Sequence, residues 1–239
     1  MALPRLGTVK YHVTIPSSGE TIEFRPYTVK EEKALLIAME SKDQLSQVAA
    51  ARDLVSSCTM GNINVDEIAM FDFEYLFLQI RSKSVGETST IRIKCSNEEC
   101  GTPLDVIVDL DQVQVQGEVR PSTKVMLTDD VGVMVSYPKV KGVIKQLMKG
   151  KKSASDYEST LNIIASCIDS IFDADNVYDA ADQSPKELME FVESLSSSQF
   201  KHILELFKEL PTLKHKEEMT CKKCGTTTPV VLEGLQSFF

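Results

Sequence analysis

Four cysteines in two tight pairs constrain this chain more than any other feature of its sequence. Cys95 and Cys100 stand in Ile93-Lys94-Cys95-Ser96-Asn97-Glu98-Glu99-Cys100-Gly101, with four residues between them. Cys221 and Cys224 stand in Met219-Thr220-Cys221-Lys222-Lys223-Cys224-Gly225-Thr226, with two residues between them. A tetrahedral Zn²⁺ takes four nitrogen or sulfur ligands, at ~2.3 Å for sulfur, and structural sites commonly draw them as two such pairs from two turns. Residues 90–93 before the first pair and 104–108 after it alternate apolar with polar, the period of half-buried strands, so the first pair reads as the tip of a strand, turn and strand. The second pair leads into Thr228-Pro229-Val230-Val231-Leu232, and both turns continue Cys-Gly-Thr, a weak internal repeat. Together they read as two halves of a zinc ribbon with the middle of the protein inserted between them. Cys95, Cys100, Cys221 and Cys224 are the expected ligands of one structural Zn²⁺. Four thiolates leave no open position for water, so such a metal serves folding rather than catalysis.

Two other uses of the thiols compete with this one. Six cysteines is an even number, as a disulfide framework requires, but the sequence begins without a secretory apolar segment and a chain of this length needs no covalent staples. A redox Cys-x-x-Cys pair should open a helix, whereas residues 225–229 carry turn and strand chemistry. The 239 residues are 42% hydrophobic, enough for a substantial core in one or two lobes. A net charge of −9 disfavours a nucleic-acid or anionic-membrane partner, because phosphate binding needs a basic surface. No run approaches the ~18 to 20 apolar residues of a membrane span. The expected location is the cytoplasm in which the chain is made.

The expected fold class is α+β, mostly helical with short antiparallel strands and a split zinc-ribbon-like unit. Five regions follow: an N-terminal β-hairpin (1–29), a helical region (30–87), the first cysteine knuckle with further strands (88–137), a helical insertion (138–211), and the second knuckle with the C-terminal tail (212–239). Thr28 and Glu31 have capping-box spacing, and apolar spacing then predicts two helices, broken near residues 41–43, reaching about Cys58. Residues 65–86 read as one strong helix. Phe71, Phe73, Tyr75, Leu76, Phe77, Leu78 and Ile80 place large apolar groups on more than one of its faces, so it is either a central core helix or a partner-binding one. Residues 161–172, apolar nearly all round, read as a central helix of a second lobe. Ser184 before Pro185, and then Ser198, read as the starts of two further helices.

Several chemical motifs are imitated and incomplete. Gly150-Lys151-Lys152-Ser153 lacks the spacing of a phosphate loop and a strand to feed it. Residues 173–179 lack the ligands, glycine and glutamate of a calcium loop. Three scattered histidines and no hydrolase, zinc-protease or dinucleotide signature leave no assembled catalytic set, so the expectation is an interaction protein and not an enzyme. His202 reads as surface, and His215, six residues before Cys221, as a substitute ligand for which four cysteines leave no place.

Four stretches taken together carry a family resemblance: residues 24–33 (Phe-Arg-Pro-Tyr-Thr-Val-Lys-Glu-Glu-Lys), residues 71–86 from Phe71-Asp72-Phe73 to Ser84-Val85-Gly86, the paired cysteines, and the closing Leu232-Glu233-Gly234-Leu235-Gln236-Ser237-Phe238-Phe239. The chain resembles, over almost its whole length, the baseplate hub subunit and hub assembly family of T4-like contractile-tailed bacteriophages. The resemblance implies a part in building the tail baseplate hub in the host cytoplasm, as a subunit of the virion tail baseplate or as an assembly chaperone. It implies other hub proteins as partners, in an oligomer or hetero-complex, and no catalytic residues to transfer; charge and hydropathy are what point to no nucleic acid and no membrane. Zinc rests on the spacing and not on the family. Phe71, Phe73, Tyr75 and Phe77, with Phe238 and Phe239, are the expected partner contacts. A cytoplasmic zinc-ribbon module that binds nucleic acid through Lys94, Lys222 and Lys223 is the alternative.

Overall fold

The computed structural model describes residues 7–41, 43–120, 122–150 and 156–234. The chain opens with an antiparallel hairpin, β1 (Tyr11–Thr14) and β2 (Thr21–Phe24), in register Tyr11 to Phe24. Three helices follow: α1 (Val29–Glu40), α2 (Gln44–Cys58) and α3 (Met70–Val85). The expected capping box starts α1, with Glu31 accepting from the Thr28 backbone N–H at 2.7 Å. Asp43 caps α2 by accepting from the Ser46 N–H. Val13, Ile15, Ile22 and Phe24 from the hairpin meet Leu35, Leu54, Val55, Phe73, Leu76, Phe77 and Ile80 in the first core cluster.

Helix α3 is the axle of the molecule. Phe73, Leu76 and Phe77 enter the first cluster, while Leu78, pointing elsewhere, joins Val106, Val108, Leu110, Val113, Leu213, Val230 and Leu232 in a second one. That second cluster lies between two β units. One is the hairpin of β3 (Thr88–Lys94) and β4 (Pro103–Asp109); the other contains β10 (Thr212–Thr220) and β11 (Thr227–Glu233), with β5 (Gln114–Gln116) paired to the far side of β10. Strict alternation orients them: Leu104, Val106 and Val108 on β4 and Thr228, Val230 and Leu232 on β11 all point inward.

The remaining lobe is built on a four-stranded antiparallel sheet in the order β6 (Thr123–Met126), β7 (Gly132–Val135), β8 (Ile168–Phe172), β9 (Val177–Asp179). It packs with α5 (Asp156–Cys167), α6 (Pro185–Ser194) and α7 (Ser197–Lys208) around Val133, Val135, Ile164, Ile168, Val192, Phe200 and Ile203. Helix α4 (Val140–Gly150) leads from this sheet towards α2 and α5.

The α+β class agrees with this mixture, and several boundaries differ from the sequence reading for identifiable reasons. Helix α3 begins at Met70 rather than at residue 65, because the preceding carbonyls are taken from across the chain. Lys141 N–H donates to Asp66 O at 3.1 Å and Val140 N–H to Ile68 O at 3.2 Å, and Ala69 bridges Lys139. The apolar run expected as one helix over 161–172 divides at Cys167. Ile168–Phe172 pairs as strand β8 with β7, so the stretch 138–211 is not purely helical. The start expected at Ser198 lies at Ser196, which completes a capping box with Gln199. Nor do the strands of 88–137 form one unit: they distribute among three sheets.

Candidate metal centre

Each cysteine pair sits at the tip of a hairpin, and the two tips are closed in the same way. Cys95 N–H donates to Thr102 O and Cys221 N–H to Thr226 O, both at 2.9 Å. The turns need a residue with positive φ, and Gly101 (φ 53°) and Gly225 (φ 75°) supply it without the backbone strain another residue would carry there. The repeated Cys-Gly-Thr therefore has a structural cause. The hydroxyl of Thr102 lies 3.2 Å from the Cys100 sulfur. A third polar tie crosses between the hairpins: Ser96 N–H donates to Thr228 Oγ1 at 3.1 Å, and the two hydroxyls are 3.2 Å apart. Thr228 is buried and sits at an inward position of β11, so the apolar alternation gave no sign of this role.

The four sulfurs come together. Cys95 Sγ lies 3.6 Å from Cys224 Sγ, Cys100 Sγ lies 3.9 Å from Cys221 Sγ, and all four ligand atoms fall within 4.8 Å of one another. A tetrahedron with metal–sulfur bonds of ~2.3 Å has sulfur–sulfur edges of roughly 3.8 Å. The donor set is four thiols, a soft set suited to zinc or other thiophilic ions. Cys95 and Cys221 are buried with Leu104 against Ile93 and Met219, whereas Cys224 is exposed. All six cysteines are free thiols, including Cys58 and Cys167, which lie in separate cores and whose thiols burial pushes up to about 12.

The electrostatics of the cluster are uneven. The hydroxyl and backbone N–H of Thr226, assisted by the Cys95 and Cys100 sulfurs, lower the Cys224 thiol to about 6. Thr102 lowers Cys100 by the same pair of donors. For Cys95 the Asn97 backbone N–H acts downward, but burial and the thiols of Cys224 and Cys221 outweigh it and raise the group to about 11. Threonines two residues after a cysteine thus favour the thiolate, the form a metal binds. Exposed Lys94, Lys222 and Lys223 flank the tips. His215 is on β10, opposite Leu232, with its Nε2 3.6 Å from Glu217 Oε2. It is not among the clustered ligands.

The two hairpins do not merge into one sheet, as the ribbon reading expected. They belong to separate sheets that face each other across the Leu78–Val106–Leu232 cluster, and the cysteines meet only at the tips. The aromatic residues expected to contact partners are placed differently from one another. Phe71, Phe73 and Phe77 are buried in the chain's own packing, with Phe71 edge-on to Tyr137 at 4.9 Å between centroids. Tyr75 is half-buried between the first and second clusters. Elsewhere on α3, Glu74 and Gln79 are half-buried and Val85 is exposed. Phe238 and Phe239 lie outside the described residues. Among the exposed apolar residues are Val29, Leu36 and Ile37 on α1.

The family described as T4 bacteriophage base plate protein matches residues 8–239. "Baseplate hub assembly protein gp26" of Enterobacteria phage T4 is 23% identical over 231 residues, covering 96% of this chain and 98% of that protein. No solved structure matches.

Proposed function

The chain belongs to the T4 bacteriophage base plate protein family, and from that premise we propose that it takes part in assembling the baseplate hub by binding other hub proteins. The observation that carries this reading is the end-to-end match to a relative named as a hub assembly protein, which spans 96% of this chain and 98% of the other. The match runs along the whole of the relative rather than one module of it. The acidic charge of −9 suits protein partners better than phosphates. The role is non-enzymatic, is played in the host cytoplasm, and leaves the chain either in the virion tail or released from it.

Cys95, Cys100, Cys221 and Cys224 hold a structural Zn²⁺ in this proposal. Bound there, the ion supplies no reactive position and ties the tip of the β3–β4 hairpin to that of β10–β11. The fit of the 3.6 and 3.9 Å sulfur separations to a tetrahedral edge supports it, as do the matched donors from Thr102 and Thr226.

The decisive experiment is genetic and structural together. Phage in which this gene carries a conditional nonsense codon should yield tail intermediates without complete hubs under non-permissive conditions, and supplying the chain in trans should restore them. Normal, infectious tails made without the chain would end the proposal. Mass spectrometry of purified particles separates a resident subunit, present at fixed stoichiometry, from a departing chaperone.

A further inference from the structure

Between α4, α5, β8 and the start of α6 lies a cavity of about 420 Å³, within the ~300–1,000 Å³ range of clefts that hold ligands. Gln146 of α4 lines it and is only 9% exposed, yet its Nε2 donates to nothing among the described residues. A buried amide N–H left unpaired costs stability unless something that enters the site accepts from it. Three lysines line the same cavity. Lys139 and Lys141 both lie against Glu67, which leaves Lys145, exposed and one residue before Gln146, without a carboxylate among the described residues. Helix α4 itself contains no acidic residue, in a chain whose net charge is −9. We propose that this cavity receives one acidic side chain of a partner protein, its carboxylate accepting from Gln146 Nε2 and Lys145 Nζ and its apolar neighbours resting on Ala165, Ile168, Leu188 and Met189.

The chemistry of the lining narrows the occupant. Gln146 Nε2 and Lys145 Nζ are both donors, so what they face must accept, and a carboxylate between an amide and an ammonium makes charge-assisted bonds. Asn162 and Ser166 line the cavity with their donors already used, Asn162 Nδ2 on Glu158 O at 2.8 Å and Ser166 Oγ on Ile163 O at 2.7 Å. Asp169 of β8 and Asp179 of β9 also line it, accepting from Ser136 Oγ at 2.9 Å and from the Ala181 N–H at 2.8 Å. Their charge repels a multiply charged anion such as a nucleic-acid backbone, so a single carboxylate beside apolar groups is the better match. That the partner is a hub protein rests on the function proposed above. The need for a carboxylate rests on the cavity alone.

The test uses the full ¹⁵N-labelled chain and three capped peptides, acetyl-Leu-Glu-Leu-amide and its counterparts with Gln or Lys in the middle, with inorganic phosphate as a simple anion. The Gln146 side-chain amide resonance, identified by its absence in Gln146→Leu, reports occupancy. The Glu peptide should shift that resonance saturably, with a Kd of about 1 mM or below, and the Gln and Lys peptides should not. Gln146→Leu removes an unpaired buried amide, so it should keep or raise Tm. It should also weaken the Glu peptide, followed there by the Ala165 backbone amide, roughly tenfold or more, as expected for a lost hydrogen bond to a charged group. Lys145→Gln, a change at an exposed position, should weaken it too and leave Tm where it was. No saturable shift, an equal response to the Gln peptide or to phosphate, or unchanged affinity in Gln146→Leu would each overturn the proposal. These measurements need no phage, so their failure would leave the hub-assembly reading standing, and normal tails made without the chain would end that reading without touching this site.

Discussion

Glu31 does two jobs with one carboxylate. It completes the α1 capping box, and it accepts a paired hydrogen bond from Arg25, with Nη2 to Oε1 at 2.6 Å and Nη1 to Oε2 at 3.0 Å. Both side chains are largely sheltered, 19% and 17% exposed. The Arg25 hydrogen bond, against the opposing effect of burial, lowers the Glu31 carboxyl from 4.5 to about 2. A depressed carboxyl stabilises the folded state above its unfolded pKa, and that contribution is lost as pH falls from about 4.5 towards 2. Glu31→Gln should therefore cost on the order of 2–3 kcal/mol at pH 7, and should flatten the acid limb of stability measured by denaturant titration over that window. At the cysteines the expected effect is larger. Cys221 is 1% exposed, and replacing it by Ser removes one thiol from the interior side of the cluster. Cys221→Ser should abolish stoichiometric metal binding and cost about 4 kcal/mol, which for a chain of this size lowers Tm by roughly 8–16 °C. Metal analysis and calorimetry on one sample check both halves of that statement.

The central strands of the four-stranded sheet depend on a missing side chain. Gly132 of β7 pairs with Phe172 of β8, whose ring lies over it; a Cβ built at Gly132 would come 2.3 Å from Phe172 Cζ and 2.7 Å from Val125 O. This is a glycine kept for space, covered by an aromatic neighbour, and not for a left-handed backbone. Gly132→Ala should cost about 1–3 kcal/mol. Phe172→Leu placed on top of it should recover part of the loss, because only one of the two clashes involves a movable side chain. The same sheet explains why residues 161–172 divide. An apolar run suits a buried helix and a buried strand equally, and what ends α5 is the partner β7 offers: Ser136 N–H donates to Cys167 O at 2.8 Å, and Val133 then pairs with Ile171. Helix α3 carries the opposite lesson. Its crowding with aromatics signalled burial correctly, and Phe73, Leu76, Phe77 and Leu78 are buried against the hairpin β1–β2, the helices α1 and α2 and the two β units.

Across the whole chain, the cysteine cluster joins segments 121 and 129 positions apart, and the two hairpins it unites flank everything between them. A metal there stabilises the fold by linking distant parts, so removing it should be felt globally. A chelator strong enough to strip zinc should lower Tm of the wild-type protein by about as much as Cys221→Ser does, and should leave the Cys221→Ser protein unchanged; calorimetry with and without chelator measures both. An unaltered wild-type melting curve after verified metal loss would remove the metal from the account of stability. The sequence alone determined whatever depends on neighbours along the chain. The alternation of residues 104–108 and 228–232 set the inward faces of β4 and β11, Thr28 with Glu31 and Ser184 before Pro185 set two helix starts, and the two short cysteine spacings set two knuckles. Only the tertiary structure decided which distant groups meet. It placed the knuckle hairpins in facing sheets, directed β5 to β10 and β6–β7 to β8, drew the carbonyls of Asp66 and Ile68 away from α3, and buried Phe73 and Phe77. The reason is physical: periodicity and capping act over a few residues, whereas the partner that completes a strand, fills a core or supplies a third and fourth thiolate is chosen by packing between segments whose separation leaves no local signature.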